Sequence, residues 1–177
     1  MGKSQGFTLI ELMVTMVVLA IVASIAMPNF QKVRAKQKIE YSTKDLEKTL
    51  IQARYDAVLH RHRVTVNLGE AGNSTPQTLY WSVPGDQQIS YLQFSCESNA
   101  WDGEAIEGID RLVFLTDGSA QLSRNFTDDD GHNQREDLTL SAIQIVVSNG
   151  VTTNYVEITP LGKVTAKSGS KQGQECS

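Results

Sequence analysis

Glu11 is the only formal charge in the 21 residues 7–27, which are otherwise almost wholly apolar. Coiled as a helix, that run would span roughly 30 Å, the thickness of a bilayer's hydrocarbon core. An acid at the centre of such a helix costs about 2.5 to 3.5 kcal/mol on insertion scales. A carboxylate placed there asks for a counter-charge, and the run itself contains none.

Elsewhere, residue types that could do chemistry occur in patterns with plainer readings. His60 and His62 are two apart and would share a face in an extended segment, as metal ligands can, but Arg61 and Arg63 beside them repel a cation. They read as the solvated end of a helix. Thr127-Asp128-Asp129-Asp130-Gly131-His132-Asn133 sets acids beside a glycine without the D-x-[DN]-x-[DN]-G order of a calcium loop, so a solvated loop is expected and no metal is assigned. Lys163, Lys167 and Lys171 offer at most a weak, salt-sensitive contact to nucleic-acid phosphate. Cys96 and Cys176 either are two unrelated thiols or, in an oxidising compartment, pair to close a loop of about 80 residues, worth roughly 4 kcal/mol in the chain-entropy model. No Gly-x-Ser-x-Gly, P-loop, dinucleotide fingerprint or His-Glu-x-x-His is present, so neither an enzyme nor a cofactor is expected.

Charge is distributed unevenly over the elements that must position these groups. The net charge of −4 divides into +5 for residues 31–63 and −9 for residues 64–177, a basic stem carrying an acidic head. The apolar run is too long for a secretory signal peptide, although Ser24-Ile25-Ala26 resembles a cleavage site. Read as a plain anchor, it meets a conflict: Lys32, Arg34, Lys36 and Lys38 follow it and only Lys3 precedes it, so the positive-inside rule alone would keep the head in the cytoplasm, whereas a disulfide asks for the other side. Pro28 removes the amide that would bond the Ser24 carbonyl, and a bend is expected there. Ile39, Leu46, Leu50, Ala53 and Ala57 then form one apolar stripe on a helix running to about His60, with Lys36, Lys44, Lys48 and Asp45 on a solvated or neighbour-facing side.

Beyond the stem the period changes to two. Val64/Val66/Leu68, Leu79/Trp81/Val83, Leu92/Phe94/Cys96, Leu112/Phe114, Ile143/Ile145/Val147 and Val156/Ile158 predict short strands. Asp117-Gly118 and Asn149-Gly150 read as hairpin turns, and Pro160-Leu161-Gly162 precedes a last strand near Val164. The expected fold is α+β, a long N-terminal helix (membrane half 7–27, amphipathic stem 28–62) packed on the antiparallel sheet of a head at 63–177.

Gly6-Phe7-Thr8-Leu9-Ile10-Glu11-Leu12 resembles the leader junction of type IV pilins and of the pseudopilins of type II secretion. The resemblance implies a leader at 1–6, cleavage between Gly6 and Phe7 by a prepilin peptidase, N-methylation of Phe7, and a charge pair between Glu11 and the Phe7 amine of a neighbouring subunit. It also implies a head outside the cytoplasmic membrane, and a proline at the place of Pro28 is common among pilins. Residues 112–119, 143–150 and 158–164, the late Cys176 and Gln52-Ala53-Arg54-Tyr55-Asp56-Ala57-Val58 are similar to the GspH/FimT group of minor pilins. That group implies a subunit of the inner membrane and then of the pilus, one that starts the filament or sits near its tip. Its implied partners are other minor pilins, the major pilin and the inner-membrane assembly platform, with membrane lipid before assembly; twitching motility, adhesion and DNA uptake are the associated activities. A minor pseudopilin of type II secretion is the alternative. DNA-binding members resemble one another in a Gly-Arg-x-Arg motif, where this chain has Gly162-Lys163-Val164-Thr165 and lacks both arginines.

Overall fold

Leu9–His60 form one continuous α-helix, α1, of 52 residues. The structure, a computed structural model, describes residues 7–97, 100–128, 130–138, 143–169 and 175, without the side chains of 95–97 and 100. The helix runs on unbroken through Pro28 and ends at Arg61, whose left-handed backbone (φ 52°) turns the chain out. Its buried residues are Ile39, Ser42, Thr43, Leu46, Leu50, Ala53 and Ala57. All five apolar positions of the expected stripe are thus in the core. Ser42 and Thr43 occupy the gap between Ile39 and Leu46, where the Thr43 hydroxyl donates to the Ile39 carbonyl at 2.7 Å and so is satisfied inside its own helix.

The head holds two five-stranded sheets rather than one. The first has the order β2 (Thr78–Trp81), β1 (Val64–Leu68), β5 (Ile109–Phe114), β6 (Ala120–Thr127), β7 (Asn133–Leu138). The second has the order β10 (Val164–Ser168), β9 (Thr153–Ile158), β8 (Ile143–Ser148), β3 (Gln88–Glu97), β4 (Ala100–Ile106). All pairings are antiparallel except β1 with β2, which run parallel. The stem half of α1 lies over both sheets, touching β1, β2 and β5 of one and β8, β9 and β10 of the other, and a single apolar core joins the three.

Three polar hooks fix the helix on this bed. Trp81 Nε1 donates to the Asp45 carboxylate at 3.0 Å, so Asp45 is tied to the head and not simply solvated as its place on the helix suggested. Glu47 accepts from the amide of Ala166 at 2.7 Å and covers one donor on the free edge of β10. Arg54 spans the seam between the sheets, donating through Nε to the Gly118 carbonyl at 3.1 Å and through a terminal nitrogen to the Leu161 carbonyl at 3.2 Å. At the same seam the Ala120 amide donates to the Pro160 carbonyl at 3.3 Å.

Gly162 is needed at that seam for two reasons. Its φ is +73°, and a Cβ built on it would lie 1.9 Å from the Gly118 carbonyl oxygen. Gly162→Ala is therefore expected to cost about 2 kcal/mol or more, seen as a lowered unfolding midpoint of the full chain. Gly150→Ala, also at positive φ but with nothing within 4 Å of the added carbon, should cost clearly less.

Candidate assembly surface

Thr8 stops the helix from fraying at its first turn. Its side chain accepts from the Glu11 amide at 3.3 Å, while its own backbone is extended. Thr8-Leu9-Ile10-Glu11 has the Thr-x-x-Glu spacing of a capping box, a sequence signal besides the charge of Glu11. A carboxylate in the first turn also faces the positive end of the helix dipole.

From this cap to the stem, α1 is exposed and packs against no other element among the described residues. Its large apolar side chains are exposed, Phe7 at 83%, Ile10 at 70% and Ile25 at 72%, and the first fully buried residue is Ile39. The helix is long and apolar enough to cross a membrane, and the apolar window is unburied throughout. Thr15 and Ser24 donate their hydroxyls to the carbonyls of Leu12 and Ile21 at 2.9 and 2.7 Å, which leaves neither needing a partner in lipid. Among the described residues the Glu11 side chain makes no hydrogen bond or ion pair. It is the one polar side chain of the span whose partner has to come from elsewhere.

The remaining sites named from sequence do not converge on this surface. Gly6 precedes the described residues, and the Cys96–Cys176 pairing rests on Cys176 and on the Cys96 side chain, both outside them. His60 ends α1 and His62 follows Arg61; their ring centres are 5.6 Å apart, and no group of three metal-ligating residues occurs among the described residues. Of the acidic run 127–133, Thr127 ends β6 and Asn133 begins β7, and Asp129 lies outside the described residues. There Asp128 accepts from the His132 amide at 2.7 Å and from Gln134 at 3.1 Å, the first of which chiefly holds its carboxyl below the ordinary aspartate range. Lys163 immediately precedes β10 and Lys167 lies near its end, Lys167 is paired with Glu157 at 2.8 Å, and Lys171 is outside the described residues.

Comparison with known proteins bears on the helix first. The family described as the prokaryotic N-terminal methylation motif matches residues 1–27, which include the Gly6–Phe7 junction, Glu11 and the free apolar half of α1. The N-terminal part of the chain therefore carries the prepilin type of methylation motif. The chain is also similar to Fimbrial protein Q of Moraxella bovis, 33% identical over 97 residues, which is 54% of this chain and 59% of that relative. No solved structure gives a significant match. The methylation motif coincides with the segment that the head leaves bare.

Some residues that shape the surface carry little signal of their own. Arg54, Asp45 and Glu47 orient the stem by bonding to groups 36 to 119 residues away, so only the folded chain reveals them. Thr8→Ala should remove about 1 kcal/mol of capping and speed hydrogen exchange at the Glu11 amide about fivefold in a micelle-bound sample, while exchange in the stem stays unchanged.

Proposed function

We propose that this chain is a minor type IV pilin of the GspH/FimT-like group. It is made as a prepilin, cut after Gly6 and methylated on Phe7. It is held in the inner membrane by residues 7–27 with its head on the periplasmic side, and it enters the pilus as an initiating or tip-proximal subunit. Its work is assembly, in contact with other minor pilins, the major pilin and the assembly platform. One observation carries the reading: an apolar half-helix stands free of its own head and bears a single unpartnered carboxylate one turn from the processed end.

Moving such a helix from lipid into a bundle of helices changes its surroundings little, because lipid tails and apolar side chains are of similar polarity. The transfer therefore supplies little register. A buried carboxylate and a buried ammonium each cost several kcal/mol alone and recover much of it together, so Glu11 and the Phe7 amine of the next subunit set the axial position.

Glu11→Ala is expected to be processed at close to the normal rate yet to fall about tenfold or more in pilus-incorporated subunit, quantified in sheared pili against the membrane fraction. Incorporation at the normal level would remove the proposed role. Gly6→Val should leave the leader attached, and intact-mass spectrometry showing a cut, methylated Phe7 in that variant would disprove the junction.

A further inference from the structure

The neck between the membrane span and the head carries charges that assembly through Glu11 does not use. Lys32, Arg34 and Lys36 are exposed, and none forms an ion pair among the described residues. Three neighbouring cations are already paired: Lys38 with Asp86, Lys44 with Glu40 and Lys167 with Glu157. The lower rim of the head is marked by that Lys38–Asp86 pair and by Asn149, whose side-chain amide donates to the Ala35 carbonyl at 3.2 Å.

We propose that Lys32, Arg34 and Lys36 form a collar that binds the phosphate headgroups of anionic phospholipid around the neck. The first support is axial position. Eight residues separate Met27 from Ala35, about 12 Å of helix, whereas one headgroup layer is roughly 5 to 7 Å thick. With the apolar run in hydrocarbon, the backbones of Lys32, Arg34 and Lys36 stand about 7.5, 10.5 and 13.5 Å beyond Met27, so the cations meet the headgroups through side chains that reach back toward the bilayer while the head clears the surface. Helical side chains lean toward the N-terminus, which here is toward the bilayer. Arg34 shows this lean, its guanidinium lying 4.9 Å over the ring of Phe30, one turn nearer the membrane.

The second support is angular. At about 100° per residue, Lys32 and Lys36 are separated by roughly 40° and Arg34 lies roughly 160° from both. One protein partner docks on one side of a helix; a headgroup layer surrounds it. Cations on opposite sides therefore fit lipid better than a protein face, and their pull on anionic lipid extends only about a Debye length.

The collar rests on the membrane-anchored reading of residues 7–27 and not on which machine recruits the subunit. The test reconstitutes the full chain into bilayers of equal phosphatidylcholine and phosphatidylglycerol and measures, by spin-labelled lipid, which of the two is held at the protein. Preference for phosphatidylglycerol of about fivefold is expected. The Lys32→Gln/Arg34→Gln/Lys36→Gln variant should bring it near one, and Lys44→Gln/Lys48→Gln/Arg54→Gln, which removes equal charge higher on the stem, should not. Added inorganic phosphate should leave the preference in place beyond the effect of equal ionic strength. An inserted chain with no preference, a preference that survives the neck variant, or one abolished specifically by inorganic phosphate would each overturn the collar. A chain that does not insert at all would overturn the membrane reading and the collar with it.

Discussion

One backbone hydrogen-bond ladder, running from Leu9 to His60, sets the form of everything else. A helix satisfies its own amides and carbonyls, so it is among the few structures that can stand in hydrocarbon, and its stem can equally lie on a sheet. The ladder passes from one setting to the other with no loop between them. The two halves differ only in where their apolar groups point. All round the helix up to Val33 they are exposed, while from Ile39 onward a stripe of them is sealed beneath the head.

Attachment of the head follows from that stripe, but its orientation does not. Ala53 and Ala57 let the helix lie close, and burial of Ile39, Leu46 and Leu50 supplies most of the drive, at about 1.5 to 3 kcal/mol for each large side chain. Area is indifferent to small rotations. The hooks from Asp45 to Trp81, Glu47 to the β10 edge and Arg54 to the two glycine turns are directional, and they fall on both flanks of the stripe. Arg54 matters most to the architecture because the two carbonyls it binds belong to different sheets.

Charge along the ladder marks what is done inside the chain and what is left to its surroundings. Lys38, Lys44, Arg124, Arg135 and Lys167 of the head and stem are paired with carboxylates of the same molecule, whereas Glu11, Lys32, Arg34 and Lys36 form no ion pair among the described residues. The basic residues after the span speak against translocating the head, by the positive-inside rule. A headgroup collar gives the same residues a use on whichever side the head finally lies.

Much of this is legible in the order of residues. A 21-residue apolar run, a stripe at helical spacing and alternation in β1, β8 and β9 are local patterns, and local patterns survive without knowledge of the fold. The polar strands were not legible. Strand β7 reads Asn-Gln-Arg-Glu-Asp-Leu and is exposed along most of its length, because an edge strand with neither face buried needs no apolar alternation. Strand β4 hides behind Gly103, which lies under the ring of Phe94 where any side chain would clash. The parallel pairing of β1 with β2 leaves no mark in either strand, since direction depends on the path of residues 69–77. By itself the sequence determined the helix, its lone acid and an apolar run long enough to cross a membrane, each a property of neighbours in the chain. Only the tertiary structure decided the two sheets, the Arg54 seam and which charges remain unmatched, because those depend on groups brought together from distant parts of the chain.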